Sequence, residues 1–339
     1  MTHRPLAAAL AALTTLALSQ GLALTGSPAL GSAPGATPGS EARARATTIR
    51  PEKLDRGADA AQPYVRGKRI VDGAESTRVR GRQLRLLGTR PDGRYVVITQ
   101  RGDHDRVRAV EPGGGSSKIF GDTSQLEVSL SGDGTTLVTG RFKYRSRHTL
   151  LRAYDSTTGE LLGSRKRKGY LTTLDSATDT VLYSGENGPV VAWDLSTDTG
   201  ERVTKRFGYR ADLANDRLAV FTKDPYQGGC TVVSSISDPD TALWRSCDEA
   251  VWHFSTDASH VVTSYILADG LGPAQVTVRT DEGVRTGRYR VDNGYFRSLF
   301  FEDADTLLLD TATDKASGVV RCDAGRCELA SDLGPGESF

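Results

Sequence analysis

The strongest constraint on this chain is a repeat. Second strands of β-branched and aliphatic residues begin near Val96, Leu137, Val181, Leu218, Val261 and Leu307, at spacings of 41, 44, 37, 43 and 46 residues. Each follows a short strand and a tight turn rich in Asp, Gly or Asn. The clearest turns are Arg90-Pro91-Asp92-Gly93 and Ser131-Gly132-Asp133-Gly134. Asp-Gly between apolar runs signals a hairpin, because Gly accepts the positive φ that the turn requires. Weaker versions stand at Ala177-Thr178-Asp179, Ala214-Asn215-Asp216, Thr256-Asp257-Ala258 and Asp303-Ala304-Asp305. Every unit then carries a second hairpin, such as Leu150 to Tyr154 turning through Asp155 to Gly159. Four strands in roughly 42 residues is one β-propeller blade. No helical apolar period is sustained past the leader, which argues against α/β folds. A two-sheet sandwich, the main structural alternative, predicts irregular strand spacing instead.

Trp193-Asp194 and Tyr154-Asp155 each close a third strand, and the two Asp-Gly turns stand where a first-turn motif would. On these residues the chain, over about 62–339, resembles WD-repeat and TolB-type propellers, in particular the secreted propellers of actinobacteria. The Gly-His pair that orders WD-repeat blades is absent. The resemblance implies an all-β propeller of four-stranded blades, with ligands on one face near the central channel. These motifs specify a fold and say nothing of a ligand. Six units run from 82 to 335. Tyr64 to Arg80 makes a further hairpin with its turn near Asp72-Gly73. Rings usually close by combining N- and C-terminal strands, which removes the exposed edge, so that hairpin is expected to form part of a seventh blade and seven blades are favoured over six.

The N-terminus points to export. A short basic start is followed by Leu6 to Leu24, uncharged and rich in Ala and Leu, and then by a stretch dense in Gly, Ala, Ser and Pro. That order is the layout of a secretory signal peptide, with small residues suited to cleavage near Ser27-Pro28-Ala29 or Ala42-Arg43-Ala44. The expected organisation is signal peptide and disordered linker over 1–46, an N-terminal extension over 47–61, and the propeller over 62–339. The mature chain is expected to be secreted, without a membrane span, and monomeric.

Cysteines in an exported chain should be paired. Cys322 and Cys327 flank Asp323-Ala324-Gly325-Arg326, and Cys230 and Cys247 are centred on Asp238-Pro239. Both pairs then lie opposite one another across a hairpin, within bridging distance. Disulfides Cys230–Cys247 and Cys322–Cys327, each inside one blade, are expected.

No catalytic set is recognisable, and no metal or cofactor site. His104, His148, His253 and His260 lack metal-ligand spacing, and Asp103-His104-Asp105 reads as a solvated turn. There is no nucleophile elbow. Surplus loop length falls on one face, in the connections between second and third strands: Arg101–Arg106, Arg141–Arg147, Lys223–Gly229, Leu267–Pro273 and Ala312–Ser317. Long loops on a rigid scaffold are where function concentrates. Both basic runs are expected there. Arg141, Lys143, Arg145 and Arg147 would occupy the loop of the second unit, and Arg165, Lys166, Arg167 and Lys168 the connection leaving it. A run of this kind also serves as plain solvated surface. Gly-Tyr recurs at Gly169-Tyr170, Gly208-Tyr209 and Gly294-Tyr295, entering innermost strands, so Tyr170, Tyr209 and Tyr295 are expected at the channel mouth or between blades. The reading is a non-enzymatic binding or scaffold propeller whose partner is a protein or an anionic cell-envelope polymer. Export argues against nucleic acid. The alternative is a propeller enzyme of lyase or glycosidase type with a channel-mouth site.

Overall fold

The structure is a computed structural model that describes residues 46–121, 123, 126–186 and 188–338. The expected leader and linker lie outside these, apart from Ala46. Among the described residues the strands form seven sheets. Six are four-stranded meanders over 82–120, 127–168, 171–204, 207–246, 249–291 and 294–329, called blades 1 to 6. The seventh, over 64–78, has three strands and closes the ring as blade 7.

In each blade the first strand is innermost. Adjacent first strands lie side by side around the axis, as Leu171–Ser176 does with Phe207–Asp212. The remaining strands follow outward in chain order. The repeat is visible in the core as well. Among the described residues seven apolar clusters fill the seven gaps between neighbouring blades. The gap between blades 2 and 3, for example, holds Val138, Leu151, Ala153, Leu171, Tyr183 and Trp193. A blade offers an apolar face to each neighbour, so none can bury its core alone.

The Asp-Gly turns also serve this packing. Gly134 donates to the Ser131 carbonyl (2.9 Å) at φ +73°, and Asp133 accepts the Thr135 amide (3.0 Å). A Cβ at Gly134 would stand 2.2 Å from the Thr89 carbonyl oxygen of blade 1. Glycine is therefore needed twice there, for the turn and for the close approach of the next blade.

Among the described residues the ring closes without the expected combination of N- and C-terminal strands in one blade. The C-terminal Gly334–Pro335 pairs with Ala316 and Ser317 inside blade 6. Blade 7 is held by packing instead: Tyr64 against Leu308 and Val319 of blade 6, and Ile70 and Val79 against Tyr95 and Val97 of blade 1. Tyr95 Oη donates to Asp72 (2.8 Å), and Arg66 meets Asp332 (2.9 Å). Residues 47–60 add a strap across the outside of the joint. Thr47–Ile49 pairs in parallel with the outermost strand of blade 5, Arg285–Val291. The chain then follows blade 6, where Leu329 exchanges backbone hydrogen bonds with Asp55 and Gly57. Arg321 of blade 6 grips the strap through the carbonyls of Ala58 (3.0 Å) and Asp59 (2.9 Å).

Both disulfides are formed: Cys230–Cys247 with S–S 2.05 Å and Cys322–Cys327 with S–S 2.08 Å. Cys322 and Cys327 are register partners, and Cys230 and Cys247 adjoin the Thr231–Ser246 pair. Among the described residues no helix is long and apolar enough to cross a membrane.

Candidate functional site

Three of the five expected long loops are loops in the structure: 144–147 in blade 2, 222–230 in blade 4 and 266–274 in blade 5. The other two are tight turns. In blade 1 the second strand runs to Arg101 and the third begins at His104, and in blade 6 only 314–315 intervene. The surplus there lengthens strands, because each added cross-strand residue pair completes further backbone hydrogen bonds.

Blade 2 concentrates the charge, but its basic residues are mostly in strands. Arg141 and Lys143 end the strand Thr136–Lys143, and Arg165 to Lys168 end the outermost strand Leu161–Lys168. Alternation along a strand then divides the two runs between the two sides of the blade. Arg141 and Lys143 line a groove toward blade 1, of about 330 Å³, with Leu150 and Tyr154. Lys166, opposite Leu150, belongs to that side. Phe142, Tyr144, Arg147, Arg167, Lys168 and Tyr170 line a larger groove toward blade 3, of about 1030 Å³. Tyr183, Glu186 and Pro189 of blade 3 complete its far wall. Arg145 is exposed at the turn between the two grooves.

Backbone contacts set this groove. Gly169 leaves the outer strand at φ +92° and donates to the Arg147 carbonyl (2.8 Å). Thr149 Oγ1 donates to the Gly169 carbonyl (2.7 Å) and accepts the Leu171 amide (3.1 Å). The Glu186 amide donates to the Tyr170 carbonyl (3.1 Å). Tyr170 is thereby pinned between two blades. Its ring meets Phe142 edge-on at 5.7 Å, and Phe142 meets Tyr144 edge-on at 5.0 Å. Tyr144 is 85% exposed and Tyr170 45%. Among the described residues, Arg147, Arg167 and Lys168 form no ion pair. Burial, and then Glu127, raise the Tyr170 hydroxyl above its ordinary range. Glu127 starts the innermost strand of blade 2; burial pushes its carboxyl up to about 7 against the pull of Arg85.

The other expected residues lie elsewhere. Arg165 is buried against Trp193 and bonds Asp198, so it joins blade 2 to blade 3. Tyr209 stacks on Phe221 at 4.0 Å, and its hydroxyl meets Thr231 (3.0 Å) and the Val251 amide (3.0 Å) between blades 4 and 5. Tyr295 donates to Glu337 in the C-terminal segment (3.0 Å). Phe142, Tyr144, Tyr183 and Glu186 were not singled out in the sequence. For the first two a signal existed: in Arg141-Phe142-Lys143-Tyr144, period-two alternation puts cations on one side and aromatics on the other.

His104 and His148 open third strands in blades 1 and 2, and His253 and His260 belong to blade 5. Among the described residues no three His, Cys, Asp or Glu side chains gather to hold a metal ion.

No protein-family model matches the chain, and no curated protein matches it. Solved structures do. The β-propeller domain of the trilobed protease from Pyrococcus furiosus, described as having an open velcro topology, aligns with a TM-score of 0.54 at 11% identity, over 83% of this chain and 96% of that one. Pyrococcus horikoshii acylaminoacyl peptidase aligns with a TM-score of 0.55 at 12% identity, over 78% of this chain but only 47% of that enzyme. The Cps50 (Swd1) propeller of Myceliophteria thermophila aligns with a TM-score of 0.53 at 9% identity, over 76% and 88%. At these identities the likeness establishes the seven-bladed fold.

Proposed function

We propose that this chain is an exported, non-enzymatic binding propeller, and that the groove between blades 2 and 3 is its contact surface. The observation that carries the reading is the company Tyr144 and Tyr170 keep. Two accessible aromatic rings, steadied edge-on by Phe142, share one groove with Arg147, Arg167 and Lys168. Aromatic faces take up apolar surface such as the flat side of a sugar ring. Unpaired cations on the rim attract anionic groups. The pairing favours an anionic cell-envelope polymer over a protein partner. Two intact disulfides are consistent with an oxidising compartment.

The test is a pull-down from cell-envelope fractions with the intact protein, Y144A, and the pair R167E/K168E. Both variants should lose most of the retained polysaccharide, and added salt should weaken retention by the parent. Undiminished retention by both variants removes the groove from the account, and retention of protein in place of polymer replaces the partner.

A further inference from the structure

The innermost strands of five blades carry a register shift near their middle. A bulge of this kind re-aims the side chains beside it. In three consecutive blades the residue that resumes pairing is charged or titratable: Asp175 in blade 3, Arg210 in blade 4 and His253 in blade 5. Tyr209 and Ala211, on either side of Arg210, pack into the gaps toward blades 5 and 3. Arg210 itself feels the charge of Asp175 on one flank, and His253 feels that of Arg210 on the other. All three stand just past the register shift on the innermost strands of consecutive blades, so they follow one another in file along the channel wall. His253 is exposed, while Arg210 and Asp175 are half-buried, so the file is open to the channel.

Asp175 already has partners of its own. Its carboxylate accepts the Ser176 amide (2.8 Å) and the Leu213 amide (2.7 Å). Among the described residues no carboxylate closes on Arg210 at ion-pair distance, and its Nε is buried without a hydrogen-bond partner. Desolvation in the channel, and then the charge of Arg210, hold the His253 imidazole down to about 4, so it is uncharged at neutral pH. An unmatched guanidinium in such a setting suits a planar oxyanion that takes two parallel N–H bonds. A neutral imidazole beside it supplies one further donor or acceptor. The Asp175 charge nearby disfavours a doubly charged guest.

We propose that the channel wall of blades 3 to 5 is a second binding site, specific for a singly charged carboxylate, with Arg210 as its anchor and His253 beside it. The site is separate from the groove between blades 2 and 3 and does not depend on it.

The test follows arginine Nε–Hε resonances of the labelled protein at pH 7 and constant ionic strength. The probes are sodium acetate, sodium phosphate and sodium chloride, and the Arg210 signal is the one missing from R210Q. Acetate should shift that signal saturably, and phosphate should bind roughly tenfold more weakly. H253A should weaken acetate several-fold, and Y144A should leave it unchanged. A signal indifferent to acetate, or one that phosphate shifts at least as tightly, overturns the proposal. If R210Q does not fold, the parent and H253A decide. One saturable acetate-sensitive arginine that H253A weakens supports the site, and equal acetate affinity in both overturns it.

Discussion

The guanidinium of Arg165 lies over the indole of Trp193, its Cζ 5.3 Å from the ring centroid, and both side chains bond the Asp198 carboxylate. Two positions further on, Arg167 lines the groove instead. One run of four cations thus does two jobs. R165A should lower the stability of the propeller by about 1 kcal/mol or more, through the lost cation–π contact and the lost packing of its stem. R167A should leave stability within about 0.5 kcal/mol. Denaturant unfolding of the two variants measures both, and an equal cost for each would contradict the division of labour.

Ile49 is 1% exposed and packs on the core between blades 5 and 6, although it comes from the strap outside the ring. I49A should cost about 3 kcal/mol by leaving a cavity. The loss should appear in blades 5 to 7 first. Hydrogen exchange should show earlier opening there than in blades 2 and 3, and uniform loss of protection would mean that the strap is not a local clasp.

Glu127 makes stability depend on pH. Its carboxyl is raised from 4.5 to about 7, mainly by burial. Between those values the folded chain holds a proton that the unfolded chain has released. Stability from this group therefore falls as pH rises through the window and is lowest above about 7. E127Q should remove that slope and make the protein relatively more stable at pH 8 than at pH 4. Thermal unfolding at both values tests the sign. His253 runs the other way, being held down to about 4, so the E127Q comparison should be repeated in H253A.

The Cys230–Cys247 bridge closes the longer loop, with a sequence separation of 17 against 5 for Cys322–Cys327. Replacing the first pair by Ser should cost about 3 kcal/mol in the chain-entropy picture, and the second pair less. Unfolding of the two double variants orders them, and the reverse order would require native-state strain in place of loop length.

What the amino-acid sequence determined by itself is periodic and local. Asp-Gly turns, β-branched strands and their spacing specify a blade, because hairpin chemistry depends on neighbours a few residues apart. The same locality placed Cys230 opposite Cys247 and Cys322 opposite Cys327. Tertiary structure alone decided the rest. The strap over 47–60 is held through backbone hydrogen bonds, Arg321 and single apolar anchors such as Ile49, too widely spaced to leave a periodic pattern to read. That the expected seventh blade stands on three strands of its own, without a C-terminal one, depends on packing between residues more than 200 positions apart, such as Tyr64 and Leu308. The division of the basic runs between two grooves required knowing that Arg141 to Lys143 and Arg165 to Lys168 are strand, since only a pleat sends alternate side chains to opposite faces. The groove exists only where blade 3 faces blade 2, so no single repeat encodes it.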